Sequence, residues 1–227
     1  MVYRLMHDTL PAFSVQWSQI FIVLAVLSIG LGNIAAISQS NIKRLLAYST
    51  IAHVGFLFLG LLAAPQVGYT PAMYYIVVYA IVAACAFGVI ILLSHQQFDA
   101  DRLADLKGLA SRSPWLAFLM LLVAFSLAGV PPTVGFYAKF IVLSALVDAG
   151  YTWLAAVAVV FSIIGAYYYL KIVRTMYFET ADIPYPVGGP VDLRIGLSVN
   201  GLAVLALGIF PAPLFIVCQN ALMAVSP

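Results

Sequence analysis

Leu127-Ala-Gly-Val-Pro-Pro-Thr-Val-Gly-Phe-Tyr-Ala-Lys-Phe140 sets two adjacent prolines and a lysine in the middle of an apolar block that runs from 114 to 147. As one continuous helix that block would be about 50 Å long at 1.5 Å per residue, well beyond a hydrocarbon core of about 30 Å. Pro131 and Pro132 have no backbone donor, and each disfavours helix in the residue before it, so the block must break there. It is therefore either one discontinuous crossing or a tight hairpin of two short helices.

Working outward, the other apolar blocks read as helices at about 17–37, 44–63, 71–94, 153–178 and 193–210. With the broken block, this predicts an all-α polytopic bundle of about six transmembrane spans. Of the 227 residues, 64% are hydrophobic and 8% charged, and the mean hydropathy is +1.08. An ordinary soluble domain carries roughly 25% charged residues. The net charge of +2 is small and its carriers are scattered, which excludes a nucleic-acid surface. Cys85 and Cys218 lie far apart inside apolar runs, so they read as buried thiols and not as a disulfide or a cluster site. The apolar run after Gln16 is longer than the central region of a signal peptide and is expected to be a retained span.

Charge bias chooses between the two forms of the broken block. With one broken crossing, Lys43, Arg44, Arg102, Lys107, Arg112, Lys171, Arg174 and Arg194 share one side, Arg4 lies opposite and Lys139 falls within the membrane. That is the positive-inside pattern, and a hairpin would destroy it. One broken span is therefore expected, with Met1 and Pro227 on the outer side. The loops at 64–70 and 148–152 are short and nearly uncharged, whereas 95–113 and 179–192 carry most of the charge. Tyr69, Tyr74, Trp115, Tyr151 and Trp153 fall near the predicted interfaces. Leu103, Leu106 and Leu109 or Ala110 recur at helical spacing and predict a short helix lying in the interface. Ala80, Ala84 and Gly88 form a small-residue stripe suited to close helix packing. After Pro211 and Pro213 the tail 214–225 is too short to cross again and is expected along the outer surface.

Lys139 is the leading site candidate. An ammonium at the centre of a membrane helix costs at least about 2.5–3.5 kcal/mol, so it should face a polar interior. A backbone break is tolerated at membrane depth where it lines water or protein. Desolvation disfavours the charged form of a buried amine, which suits proton exchange. The alternative is a lysine near the end of the second half-helix that snorkels to the interface. Thr133 and Tyr137 are positioned to solvate the amine or simply to pack. His53 is the second candidate, in the middle third of its span behind Tyr48, Ser49 and Thr50. Its two nitrogens suit a proton relay, and a histidine merely bonded to a neighbouring helix reads equally well. His7 and His95 are expected at the interface, and Lys43, Arg44, Lys171 and Arg174 as topology anchors. Asp148, Glu179 and Asp182 fall in loops without an evident buried base to pair with. There is no phosphate-binding glycine loop, zinc spacing or serine-histidine-acid set.

Three ordered stretches carry a resemblance. They are Ser38-Gln-Ser-Asn-Ile-Lys-Arg-Leu-Leu-Ala-Tyr-Ser-Thr-Ile-Ala-His-Val-Gly-Phe56, the proline stretch 127–140, and Ala166-Tyr-Tyr-Tyr-Leu-Lys-Ile-Val-Arg-Thr-Met-Tyr177. Together they resemble the subunit N family of bacterial NADH:quinone oxidoreductase (respiratory complex I). The first two are shared with sister antiporter-like subunits and with Mrp-type cation/proton antiporters. The resemblance implies two inverted five-helix repeats per family member, each with a broken helix. Here it implies the second repeat at 17–178, an outer segment 1–16, and an inner loop, final helix and outer tail over 179–227.

It further implies that Lys139 matches the lysine of the second discontinuous helix and that His53 lies near the proton axis. The expected role is proton translocation coupled to quinone reduction, within the membrane arm of the complex in the bacterial inner membrane. No cofactor is expected in this chain, with NAD, flavin, iron–sulfur clusters and quinone in partner subunits. The family's first repeat, with its glutamate and lysines, has no counterpart before Gln16, so a C-terminal fragment, a split-gene product or a misplaced start is expected. A sodium/proton antiporter subunit and a purely structural membrane subunit are the competing functions.

Overall fold

The computed structural model describes residues 14–94, 99–180 and 190–224. Arg4, His7, Asp8, His95 and Asp182, with the expectations attached to them, lie outside the described residues. The helices are α1 (Ser14–Ile37), α2 (Ile42–Val67), α3 (Thr70–Leu93), α4 (Leu109–Arg112), α5 (Pro114–Ala128), α6 (Val134–Asp148), α7 (Thr152–Phe178), α8 (Val191–Ile209) and α9 (Ala212–Met223). Among the described residues there is no strand, only one isolated bridge between Asn41 and Arg102. Five helices, α1, α2, α3, α7 and α8, are long and apolar enough to cross a membrane. Large apolar side chains cover the outside, including Leu31, Ile34, Ile163 and Val199. Such a surface suits hydrocarbon and not water. The chain is an all-α, multi-pass membrane bundle.

α1 and α2 form a tight antiparallel hairpin. Asn41 caps α2 by accepting the Arg44 amide at 2.9 Å, the bond an N-cap residue supplies to an orphan donor. The helices lie in close contact at Gly32, where a Cβ would stand 2.7 Å from the Ala52 nitrogen and 2.9 Å from the Tyr48 oxygen. Gly88 of the small-residue stripe meets Leu197 of α8. Ala80 and Ala84 instead face outward, so only one end of the stripe serves packing within this bundle.

The broken block is one passage. Trp115, at the start of α5, donates to Ser198 of α8 at 2.8 Å. Leu119 packs at Gly201, and the break at Pro132–Thr133 packs at Gly208, roughly 15 Å along α8 from Ser198 at 1.5 Å per residue. Beyond the break, Tyr137 meets Tyr74, which in turn meets Phe215 of α9. A hairpin would have sent α6 back toward Ser198. α9, the tail helix, is 12 residues long and packs against α3, so it caps the end of the bundle where Tyr74 lies.

At the opposite end, the loop that follows α3 closes over the start of α2. Ile42 donates to the Asp101 carbonyl at 2.7 Å and Leu103 to the Ser40 carbonyl at 2.9 Å, while Lys43 pairs with Asp101 at 2.5 Å. The expected interfacial helix takes a different form. A single 3-10 turn, Leu103–Leu106, and the four-residue α4 are separated at Gly108, which has φ +63°. Leu103, Leu106 and Leu109 are buried in the protein core and do not dip into an interface, because this loop packs against α7. Arg112 holds its turn by donating to the Asp105 and Lys107 carbonyls, both at 2.9 Å. Tyr74 also departs from expectation: it is fully buried between Tyr137 and Phe215 and is not an interfacial ring.

Candidate proton-carrying site at the helix break

The site begins with what two prolines cannot do. In an unbroken helix the Leu127 carbonyl would accept the amide of residue 131, and the Ala128 carbonyl that of residue 132. Both positions are proline, so both carbonyls at the end of α5 lose their ordinary donors. Gly129, in the left-handed conformation with φ +86°, turns the chain out of α5, and the Pro131–Pro132 peptide bond is cis. Thr133 then starts α6, its hydroxyl donating to the Val130 carbonyl at 2.7 Å.

Lys139 lies in the second turn of α6, and side chains on a helix lean toward its N-terminus. The amine therefore swings back to the break. Nζ donates to the Leu127 carbonyl at 2.9 Å, the Ala128 carbonyl at 3.1 Å and the Ser162 hydroxyl of α7 at 2.8 Å. An ammonium has three donors, and all three are used. The negative end of the α5 dipole adds a favourable field. The Phe56 ring lies 5.3 Å from Nζ, within cation–π range. Lys139 is only 8% exposed, so the snorkelling geometry is not the one adopted. Neither Thr133 nor Tyr137 solvates the amine: the first bonds Val130 and the second packs on Tyr74.

α6 and α5 touch at the break itself. The Gly135 amide donates to the Ser126 hydroxyl at 3.0 Å, and a Cβ at Gly135 would collide with the Ser126 carbonyl. Glycine at 135 is thus what lets the second half-helix start beside the first.

His53, 7% exposed, stands one helix away. Its Nδ1 lies 2.7 Å from the Tyr75 hydroxyl and its Nε2 3.1 Å from the Tyr169 hydroxyl, while the Tyr79 ring stacks on it at 4.9 Å. Tyr169 also bonds Ser49, and Tyr79 donates to Thr50 at 2.7 Å. A neutral imidazole has one donor and one acceptor, so one tyrosine must donate to the ring and the other accept from it. Taking a proton at one nitrogen and losing one at the other reverses both bonds. His53 and Lys139 line the same two cavities, each of about 10 Å³, near the space one water needs. The geometry therefore brings the two sequence candidates to one locus.

Composition and spacing missed the Ser162, Tyr75 and Tyr169 partners. The two carbonyls were readable, because each stands four residues before a proline. The anchors behave as ordinary end groups: Lys43 pairs with Asp101 and Arg174 with Glu179 at 3.7 Å. Cys85 and Cys218 are buried free thiols. Among the described residues no cluster of histidine, cysteine or carboxylate is disposed to hold a metal ion.

Residues 1–165 match the family model described as NADH:quinone oxidoreductase/Mrp antiporter, TM. A curated relative, NADH-quinone oxidoreductase subunit N of Thiobacillus denitrificans, is 54% identical over 97% of this chain and 46% of its own length. The chain thus spans about half the length of the curated relatives it matches. Among solved structures, a chain of respiratory complex I from Thermus thermophilus with bound aureothin is similar at 32% identity and TM-score 0.77, over 87% of this chain and 44% of that one. A chain of the Mrp complex from Dietzia sp. DQ12-45-1b superposes with TM-score 0.86 at 24% identity, over 97% of this chain and 49% of that one, a likeness of fold. By the family model, by sequence identity and by fold, this chain belongs to the transmembrane family of NADH:quinone oxidoreductase and Mrp antiporter subunits.

Proposed function

We propose that this chain serves in the membrane arm of NADH:quinone oxidoreductase, where Lys139 carries protons in a translocation step driven by quinone reduction in other subunits. The observation that supports this most is an amine buried at a membrane-depth break, satisfied by the two carbonyls that Pro131 and Pro132 strip of donors. Charged, Lys139 fills three acceptors. A change in the surrounding field that removes its proton leaves a neutral amine with a lone pair, which the Ser162 hydroxyl can then donate to. The released proton has a nearby acceptor path in the small cavities shared with His53, where the Tyr75 and Tyr169 hydroxyls hold both ring nitrogens. Proton uptake at one nitrogen and release at the other would pass it on with no net change in the ring's charge, leaving the other tautomer.

In this proposal 17–178 is one antiporter-like repeat and the basic end of the bundle faces the cytoplasm across the bacterial inner membrane. Both termini lie outside, and redox cofactors and quinone belong to partner subunits. The membrane-arm assignment is favoured over a sodium/proton antiporter because relatives of about 50% identity are oxidoreductase subunits. The test is NADH-driven proton uptake by inverted membrane vesicles carrying the chain, with and without sodium. Lys139→Met is expected to abolish uptake per assembled complex, with no sodium requirement in the parent. Full uptake in Lys139→Met overturns the proposal, and uptake that requires sodium but no quinone turns it toward the antiporter.

A further inference from the structure

We propose that Asn33 is a positioning residue for the Lys139 amine, locking α7 in the rotation that sets Ser162 on that amine and Tyr169 on His53. The inference rests on the proton-carrying role given to Lys139 above. Asn33 is 3% exposed in the last turns of α1, where residues 29–37 are otherwise apolar and a buried amide is costly unless bonded. Its Nδ2 donates to the Ile29 carbonyl of its own helix at 2.9 Å and to the Phe161 carbonyl of α7 at 3.2 Å. Its Oδ1 accepts the Tyr168 hydroxyl at 3.0 Å. One side chain thus grips α7 at two positions seven residues apart, two turns along the same face.

The register is the telling feature. Ser162 follows Phe161, and Tyr169 follows Tyr168. The two residues that reach Lys139 and His53 are therefore also seven apart, on the stripe next to the one Asn33 holds. A rotation of α7 that released Asn33 would carry both off their partners together. Gly165, midway between the grips, admits the asparagine: a Cβ there would stand 2.6 Å from Oδ1. Asn33 and Gly165 also line the cavity that Lys139, Ser162 and His53 share, so the clamp is part of the wall of the proton site.

The experiment measures NADH-driven proton uptake per assembled complex in inverted vesicles for Asn33→Leu, Tyr168→Phe, Ser162→Ala and the doubles with Ser162→Ala. Loss of one hydrogen bond to a charged group is worth about tenfold or more. Ser162→Ala and Asn33→Leu are each expected to lower uptake by roughly that factor, with Tyr168→Phe about threefold. Because Asn33 acts through Ser162 and through Tyr169, each double should fall further than Ser162→Ala alone but by clearly less than the product of the single effects. A purely structural asparagine would lower the amount assembled and leave uptake per complex unchanged. That result, or doubles that fall by the product of the single effects, overturns the inference. Should Asn33→Leu not assemble, Tyr168→Phe removes one oxygen and no carbon and carries the same cycle. Lys139→Met in the same series separates the two levels. Full uptake there defeats the proton-carrying role itself, whereas loss there beside parental Tyr168→Phe and Asn33→Leu defeats only the clamp.

Discussion

Gly135→Ala tests the construction of the break without touching a charged group. The added methyl would lie against the Ser126 carbonyl and 2.7 Å from the Ser126 hydroxyl, so α6 must shift away from α5. Forcing a methyl into close-packed backbone costs about 1–3 kcal/mol. The shift also strains the Gly135 amide bond to Ser126, worth about 0.6–1.7 kcal/mol between helices in a membrane protein. Together about 2–4 kcal/mol is expected, against a gain of less than about 1 kcal/mol from replacing glycine by alanine in a helix. Gly196→Ala is the matched control, since a Cβ there meets nothing within 4 Å. Heating the detergent-solubilised protein and following the folded fraction by size exclusion should show Gly135→Ala melting several degrees below the parent and Gly196→Ala at or slightly above it. Equal melting of the two variants would refute the close contact of the half-helices.

His53→Leu removes the bonds to Tyr75 and Tyr169 and is expected to cut NADH-driven proton uptake at least tenfold, checked in vesicles normalised for assembled complex; parental uptake would place His53 among packing residues. Arg112→Ala deletes donors to the Asp105 and Lys107 carbonyls, and limited proteolysis should show faster cleavage of the 99–113 loop with little change in uptake. Lys43→Ala breaks a pair whose partners are 42% and 41% exposed, so its melting temperature should stay close to the parent's and the small difference should shrink as salt is added.

The path of the chain through the membrane was legible because it rests on coarse quantities. Apolar length fixes the spans, and Pro131–Pro132 fixes the break. The basic residues decide that the break is one passage, which the order Ser198, Gly201, Gly208 along α8 reproduces. Lys139 and His53 stood out because polar groups at membrane depth are rare. Their partners were less legible. Ser162, and Asn33 behind it, are each the one polar side chain of an otherwise apolar stretch, 153–166 and 29–37, and only the rotation of α7 against α1 and α6 decides what they touch. Leu103, Leu106 and Leu109 show the converse limit: helical spacing marks an apolar stripe, but not whether lipid or α7 covers it. Tyr74 misled for the same reason, since proximity to a span end does not say which way the ring turns.

Chemical rescue is the sharpest test of an amine that carries protons. Lys139→Ala removes the amine and leaves its carbonyl acceptors and Ser162 in place, so a small primary amine such as methylamine has a site of the right size and polarity. Proton uptake per NADH oxidised, measured in vesicles with the assembled complex, should fall to background in Lys139→Ala and recover in part with methylamine, and not with an equal concentration of a quaternary ammonium salt. Uptake at the parental stoichiometry in Lys139→Ala with no amine added would contradict a proton-carrying role for Lys139.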